Sequence, residues 1–145
     1  MSVRRVRADP RVQANHGRVA LQRGPLVYCV EGVDQGGRVF HLSLPLDAKL
    51  VARHRCDLLG GVTVIEGTAL ASYGSPTADH IVTTLVDFQA VPFYAWDNRQ
   101  PGPMNVWIPE TTDLAEPIET PSLQPASRTN REMILDGKAV EGLPQ

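Results

Sequence analysis

Hydrophobic and polar residues alternate along the chain in short runs, as they do in β-strands that have one buried face. Phe40, Leu42 and Leu44, for example, are predicted to face one side of a strand. The intervening His41 and Ser43 then face the other side. The same criterion predicts strands at 19–23, 26–31, 39–44, 49–54, 62–66, 81–88, 91–96 and 104–108. Because turn-forming residues separate these runs, the sequence predicts an all-β fold, an antiparallel β-sandwich of the jelly-roll type or a barrel.

Three segments of the chain contain residues that alternation alone does not assign. Pro25 cannot donate a ladder hydrogen bond, so its junction with Gly24 predicts a bulge or an edge position. The residues after Asp47 have helical propensity, but a preceding proline and the strand-rich surroundings favour a strand at 49–54. The segment 71–79 contains Gly and Pro and is expected to be a loop.

The composition of the chain changes near residue 110. Residues 1–109 contain the predicted strands and are expected to form the β-sandwich domain. Residues 110–145 contain Pro117 and Pro121 among scattered acidic residues, which favours an irregular, extended acidic tail. One short element is predicted within that tail, at 131–135.

Composition narrows the class of protein. The 145 residues are 42% hydrophobic and 21% charged, which is ordinary for a globular domain. Twelve Gly and twelve Pro residues are too many for a helical bundle. The chain has neither the apolar run of about 20 residues that a membrane helix needs nor a signal peptide. We therefore expect no membrane partner and, by default, a cytoplasmic protein.

Charge is distributed unevenly, although the formal net charge is only −2. Six arginines stand among the first 23 residues, against a single acidic residue, Asp9. These arginines alternate with valines, as on the solvated face of a strand, and no aromatic side chain stands among them to stack on bases. We therefore expect no nucleic-acid partner.

The two cysteines do not form a recognisable metal site. Cys29 lies in an apolar run, where a small buried thiol is expected. His54 and Cys56 are two residues apart, but arginines flank them and the paired spacing of zinc ligands is missing. We therefore expect no metal or other cofactor in this chain. A disulfide between Cys29 and Cys56 stays open, without a pattern that indicates it.

The sequence contains no motif of the common hydrolases or nucleotide-binding enzymes. A glycosidase needs two carboxylates at a defined separation, and spacing along the chain does not identify such a pair. We expect the carboxylates of the strand region to be solvated at strand ends or turns, and we predict no catalytic residue among them: Glu31, Asp34, Glu66, Asp79 and Asp87.

Aromatic residues concentrate in one segment. If 91–96 is a strand, Tyr94 and Trp96 lie on one face and Phe93 on the other. Together with Trp107 on the return strand, Tyr94 and Trp96 are candidates for a carbohydrate-binding surface, because sugar rings stack on aromatic faces. The simpler interpretation is that these side chains fill the core of the sandwich. The residues alone leave both interpretations open.

Three ordered blocks of the sequence resemble the C-terminal β-sandwich region of glycoside hydrolase family 127, the β-L-arabinofuranosidase-like proteins. The blocks are 18–29 (RVALQRGPLVYC), 57–65 (DLLGGVTVI) and 91–99 (VPFYAWDNR), and the last continues to residue 109. The similarity extends over roughly residues 3–109. The first strand, near residues 1–6, resembles one that family members enter from upstream, so we expect an exposed edge beside it.

The resemblance implies that the chemistry lies elsewhere. Members of that family resemble one another in a helical barrel with a zinc-bound cysteine nucleophile and a glutamate acid/base. This chain matches only the region downstream of the barrel, so no catalytic residue is carried over, and Cys29 is not equated with the nucleophile. The resemblance implies a non-catalytic accessory domain that packs on the helical barrel, or self-associates through an exposed edge or apolar patch. The alternative is a stand-alone module that binds arabinose-containing sugars through Tyr94, Trp96 and Trp107.

Overall fold

Nine antiparallel β-strands make up the sheet in the computed structural model, which describes residues 1–74 and 81–119. The strands are β1 (Val3–Val6), β2 (Arg18–Arg23), β3 (Leu26–Glu31), β4 (Leu42–Ser43), β5 (Leu50–Arg55), β6 (Val62–Tyr73), β7 (Val82–Pro92), β8 (Met104–Asn105) and β9 (Ile108–Pro109). The described residues contain short 3₁₀ turns but no α-helix, so no helix among them could span a membrane. The predicted all-β, sandwich-like antiparallel fold is confirmed.

The sheet runs in the order β1-β2-β3-β7-β6-β4, with β5 also paired to β6, β8 to β3 and β9 to β2. It curls strongly, so that β1 at one end approaches β5 at the other. Most of the strands predicted from the sequence coincide with strands of the structure. Most of the predicted tail, including the element at 131–135, and the carboxylate Asp79 lie outside the described residues.

Two apolar clusters bury opposite faces of the sheet. Tyr28 and Val30 of β3 face the larger cluster, whereas Cys29 between them faces the smaller one. The larger cluster comprises Val19, Leu21, Tyr28, Val30, Val39, Leu42, Leu44, Ile65, Ala69, Ala71, Phe88, Ala90 and Ile108. The smaller comprises Cys29, Val62, Val64 and Val91, packed against partly buried side chains of the loops that follow β5 and β8. Burial on both faces explains why β3 has a continuous apolar run.

The junction between β2 and β3 is a hairpin turn. Arg23 pairs with Leu26, so Gly24 and Pro25 are the two central residues. Gly24 has φ +58°, and proline fixes a negative φ at the next position, which together define a type II′ turn. The prediction of a bulge or an edge position was therefore wrong, because Pro25 lies outside the ladder and has no ladder bond to lose.

The hairpin of β6 and β7 is longer than predicted. Its register extends from Ile65 opposite Ala90 to Tyr73 opposite Val82. The residues 71–73, predicted to start a loop, therefore belong to β6. Small residues such as Ser72 are fully buried there, and burial against the sheet outweighs their weak strand propensity.

The segment 39–44 does not form the predicted six-residue alternating strand. Only Leu42 and Ser43 pair with β6, whereas Phe40 is exposed and His41 and Ser43 are buried. The chain near residue 116 covers this segment, since Glu116 donates its backbone N–H to the carbonyl of Phe40. Burial on both sides removes the alternation that the prediction assumed.

Arg5 of β1 ties the curled sheet together at its open end. Its guanidinium donates to the backbone carbonyls of Leu44 and Pro45, at 3.0 and 2.5 Å, and lies 3.0 Å from a carboxylate oxygen of Glu110. Arg7 binds the other oxygen of Glu110. The expectation that the N-terminal arginines form a solvated face holds for Arg4 and Arg7, which are exposed, but is wrong for Arg5.

Gly67 of β6 lies between Leu50 of β5 and Phe88 of β7, with no room for a side chain. A Cβ atom on Gly67 would lie 2.5 Å from the carbonyl oxygen of Lys49, a backbone atom that cannot move aside cheaply. We expect Gly67→Ala to lower the free energy of unfolding by about 2 kcal/mol through overpacking. The matched control is Gly102→Ala, where a Cβ would meet no atom within 4 Å, with an expected change below about 0.5 kcal/mol. Urea denaturation of both variants checks this, and equal midpoints would contradict it.

Candidate functional site

The aromatic segment after β7 is a turn on the surface of the domain. β7 ends at Pro92, and Phe93–Ala95 form a 3₁₀ turn in which the N–H of Trp96 donates to the carbonyl of Phe93 at 3.1 Å. The prediction of a strand over 91–96 was therefore wrong beyond Pro92. Phe93, Tyr94 and Trp96 are 46%, 69% and 41% exposed, whereas Ala95 is buried. We call these three exposed side chains the aromatic ridge.

The ridge has an internal order that strand alternation did not predict. The rings of Phe93 and Trp96 are stacked, with centroids 6.1 Å apart and planes inclined by 18°. Trp107 lies in the bend between β8 and β9, is partly buried, and takes no part in the ring pairs found among the described residues. Phe93, which the sequence analysis assigned to the opposite face, is therefore the ring that accompanies Trp96.

A largely buried ion cluster holds the chain that directly follows the ridge. Arg99 binds both oxygens of Asp34 through Nη1 and Nη2, each at 2.8 Å, and Nη2 also donates to Oε1 of Glu31 at 2.8 Å. The other oxygen of Glu31 accepts the backbone N–H of Asp97 at 2.9 Å. The Glu31 side chain is only 3% exposed and that of Arg99 only 19%. We call this group the Arg99 cluster; it fixes the loop that carries the ridge to the end of β3.

Sequence reasoning missed this cluster. Glu31 and Asp34 were expected to be solvated carboxylates, which is wrong for both, because Arg99 binds each of them and their side chains are only 3% and 14% exposed. The one signal was the position of Glu31 directly after an apolar run, where its side chain would need a buried partner. The identity of that partner depends on how the loop after β7 folds back, and local sequence does not contain this information.

The chemistry of the cluster is that of a structural tie. Both carboxylates are bound by Arg99, so neither is placed as an unpaired acid or base. Burial, followed by the charge of Glu31, raises the pKa of the adjacent Cys29 thiol to about 12. A thiol with this pKa stays protonated at neutral pH and is a poor nucleophile. The buried thiol expected at Cys29 is confirmed, and Cys56 is exposed and free.

A broad groove of about 1100 Å³ lies on the outward side of β5, β6 and β7, with the Arg99 cluster at one wall. Its floor mixes charged and apolar side chains, and none of the described lining residues is an exposed aromatic; the floor includes Lys49, Val51, Arg53, Glu66, Leu85 and Asp87. Glu66 lies 3.5 Å from the guanidinium of Arg53. Three of the five carboxylates named from the sequence, Asp34, Glu66 and Asp87, thus line one surface.

The His54–Asp57 segment is held by protein groups. Nδ1 of His54 lies 3.3 Å from the hydroxyl of Thr63, and Arg55 binds the carboxylate of Asp57. Within residues 1–74 and 81–119, no three His, Cys, Asp or Glu side chains are grouped as a metal ion would require.

Residues 3–109 match the family model described as the glycoside hydrolase family 127 C-terminal domain. The chain belongs to this family. A curated relative, the non-reducing end β-L-arabinofuranosidase of Bifidobacterium longum, is 35% identical over 122 residues, which cover 74% of this chain and 18% of that protein. This glycoside hydrolase family 127 domain therefore spans about a fifth of the length of the relatives it matches.

Solved structures agree with the family assignment. A family 127 β-L-arabinofuranosidase from Geobacillus stearothermophilus T6 is 49% identical, with a TM-score of 0.71 over 77% of this chain and 18% of that one. A second family 127 β-arabinofuranosidase is 34% identical, with a TM-score of 0.73 over 83% and 19% of the two chains. The family resemblance stated from the three sequence blocks is confirmed.

The Arg99 cluster yields a stability prediction. Arg99→Met should lower the free energy of unfolding by about 3 kcal/mol or more, because it leaves two poorly solvated carboxylates without their cation. The control is Arg53→Met, which removes an exposed pair at 3.5 Å and should change stability by less than about 1 kcal/mol. Equilibrium urea unfolding measures both. If Arg99→Met is no less stable than Arg53→Met, the cluster is not the tie described above.

Proposed function

We propose that this domain is a non-catalytic accessory domain of a β-L-arabinofuranosidase-like glycoside hydrolase. The observation that carries the proposal is the extent of the match: the chain matches a C-terminal domain model and covers only 18–19% of relatives named as arabinofuranosidases. In this proposal the remaining four fifths of such a protein hold the catalytic apparatus and its cofactor. The domain's own part is to pack against that larger portion and support it.

The arrangement of polar groups supports a structural role. Glycoside hydrolysis uses one carboxylic acid and one carboxylate on either side of the scissile bond. Glu31 and Asp34 are both bound by Arg99. Glu66 and Asp87 lie on the open groove beside Lys49 and Arg53, a surface that does not exclude water from a reacting group.

The proposal predicts no turnover by the chain itself. The purified 145-residue chain should release no detectable product from an aryl β-L-arabinofuranoside. The variants Glu66→Gln and Asp87→Asn should behave identically to the parent, because their carboxylates have no reacting partner. Hydrolysis by the parent that either substitution abolishes would replace the accessory role with an independent active site.

A second candidate function, carbohydrate binding, rests on the exposure of Tyr94 and Trp96. A stand-alone module would stack arabinose-containing sugars on these rings, with Trp107 as a further contact. The accessory role predicts instead that L-arabinose and arabino-oligosaccharides leave the tryptophan fluorescence unchanged. A saturable change that Tyr94→Ala removes in a folded variant would favour the binding module, because this variant keeps both tryptophans as reporters. Phe40→Ala, at an exposed aromatic outside the ridge, is the matched control.

A further inference from the structure

The aromatic ridge concentrates exposed aromatic side chains as no other described part of the domain does. Three of the chain's eight aromatic residues stand within four positions, and all three are substantially exposed. A second group of exposed apolar side chains, Ile81, Val82 and Leu85, is aliphatic and lies at the start of β7. Contiguous exposed apolar surface is typical of interaction sites, and Trp and Tyr are the side chains that most often dominate binding energy.

The ridge is also ordered before it binds anything. Ala95 is buried beneath it, the rings of Phe93 and Trp96 support each other, and the next residue, Asp97, is held by Glu31. A binding element that is already fixed loses little conformational entropy when a partner covers it. The Arg99 cluster therefore gives the exposed rings a defined position.

The chemistry of the ridge favours an apolar protein pocket over a sugar. A sugar site needs several polar groups that converge on the hydroxyls of the ligand. Arg99, Glu31 and Asp34 are bound to one another. This leaves the exposed side chains of Asp97 and Asn98 as the polar groups beside Trp96. The ridge itself offers ring faces with the indole N–H of Trp96 and the phenol of Tyr94, which suits an apolar pocket with one or two hydrogen-bond acceptors at its rim.

The matched relatives supply a candidate for that pocket. Four fifths of their length lies outside the region that this domain matches, so each of those proteins contains a large further portion in the same chain. We propose that the aromatic ridge is the anchor by which the domain docks into an apolar pocket on this larger portion. The inference rests on the proposed accessory function and names the surface that performs it.

The test is hydroxyl-radical footprinting of the native gene product as its own cells make it, with its intact mass measured on the same sample. Two pairs of identical residue types give internal controls. Tyr28 is 1% exposed and Tyr94 69% exposed in the isolated domain, and Phe40 and Phe93 are 45% and 46% exposed. Docking predicts that Tyr94 is oxidised as slowly as Tyr28, and that Phe93 is oxidised several-fold more slowly than Phe40.

Four outcomes of this experiment would overturn the docking proposal. A product near 15.8 kDa would contain no larger portion, and this result would overturn the accessory function together with the docking proposal. A much larger product in which Tyr94 is oxidised several-fold faster than Tyr28 overturns the docking proposal alone. Protection that appears only after L-arabinose is added assigns the ridge to sugar binding instead. Protection that disappears on dilution assigns it to a second copy of the chain, and this also overturns the proposal.

Discussion

Burying a carboxylate at the end of a central strand costs several kcal/mol of desolvation unless a cation and hydrogen-bond donors replace the lost water. Glu31 imposes this constraint on the fold, because it ends β3 and is almost fully buried. Arg99 and the backbone N–H of Asp97 meet it, and Asp34 completes the coordination of the guanidinium. The loop after β7 must therefore return to the end of β3, and its path follows from this requirement.

Several other features depend on that path. Because Asp97 has to reach Glu31, the chain leaves the sheet at Pro92 and turns sharply, and Asp97 itself takes a positive φ of 66°. The turn directs its large side chains outward and forms the aromatic ridge. The chain then returns as β8, which pairs with Val30 and Glu31 on the side of β3 that β2 has left free. The turn, the pairing of β8 with β3 and the exposed ridge thus all depend on one ion cluster.

The sequence predicted what depends on local pattern. Period-two alternation and turn residues located β2, β3, β5 and the hairpin of β6 and β7, although β5 has no fully buried residue and the first half of β7 is exposed. The pattern failed at residues 39–44 and 93–96, where tertiary contacts decide which side chains are buried. Tyr94 and Trp96 were recognised as candidates, but their exposure was not predictable, because it depends on Arg99 and Glu31, which are 68 residues apart. Family resemblance located the domain without reference to any of these contacts.

The Arg99 cluster is better explained by the position that it gives to the loop after β7 than by a gain in the stability of the domain. An apolar set of side chains of the same volume would hold the loop at least as firmly, since buried ion pairs rarely add net stability over well-packed apolar groups. Apolar packing, however, is non-directional, whereas the bidentate contact of Arg99 with Asp34 and the bond from Asp97 to Glu31 each require one geometry. If the aromatic ridge docks as proposed, this directional constraint fixes the position of the rings that meet the partner pocket.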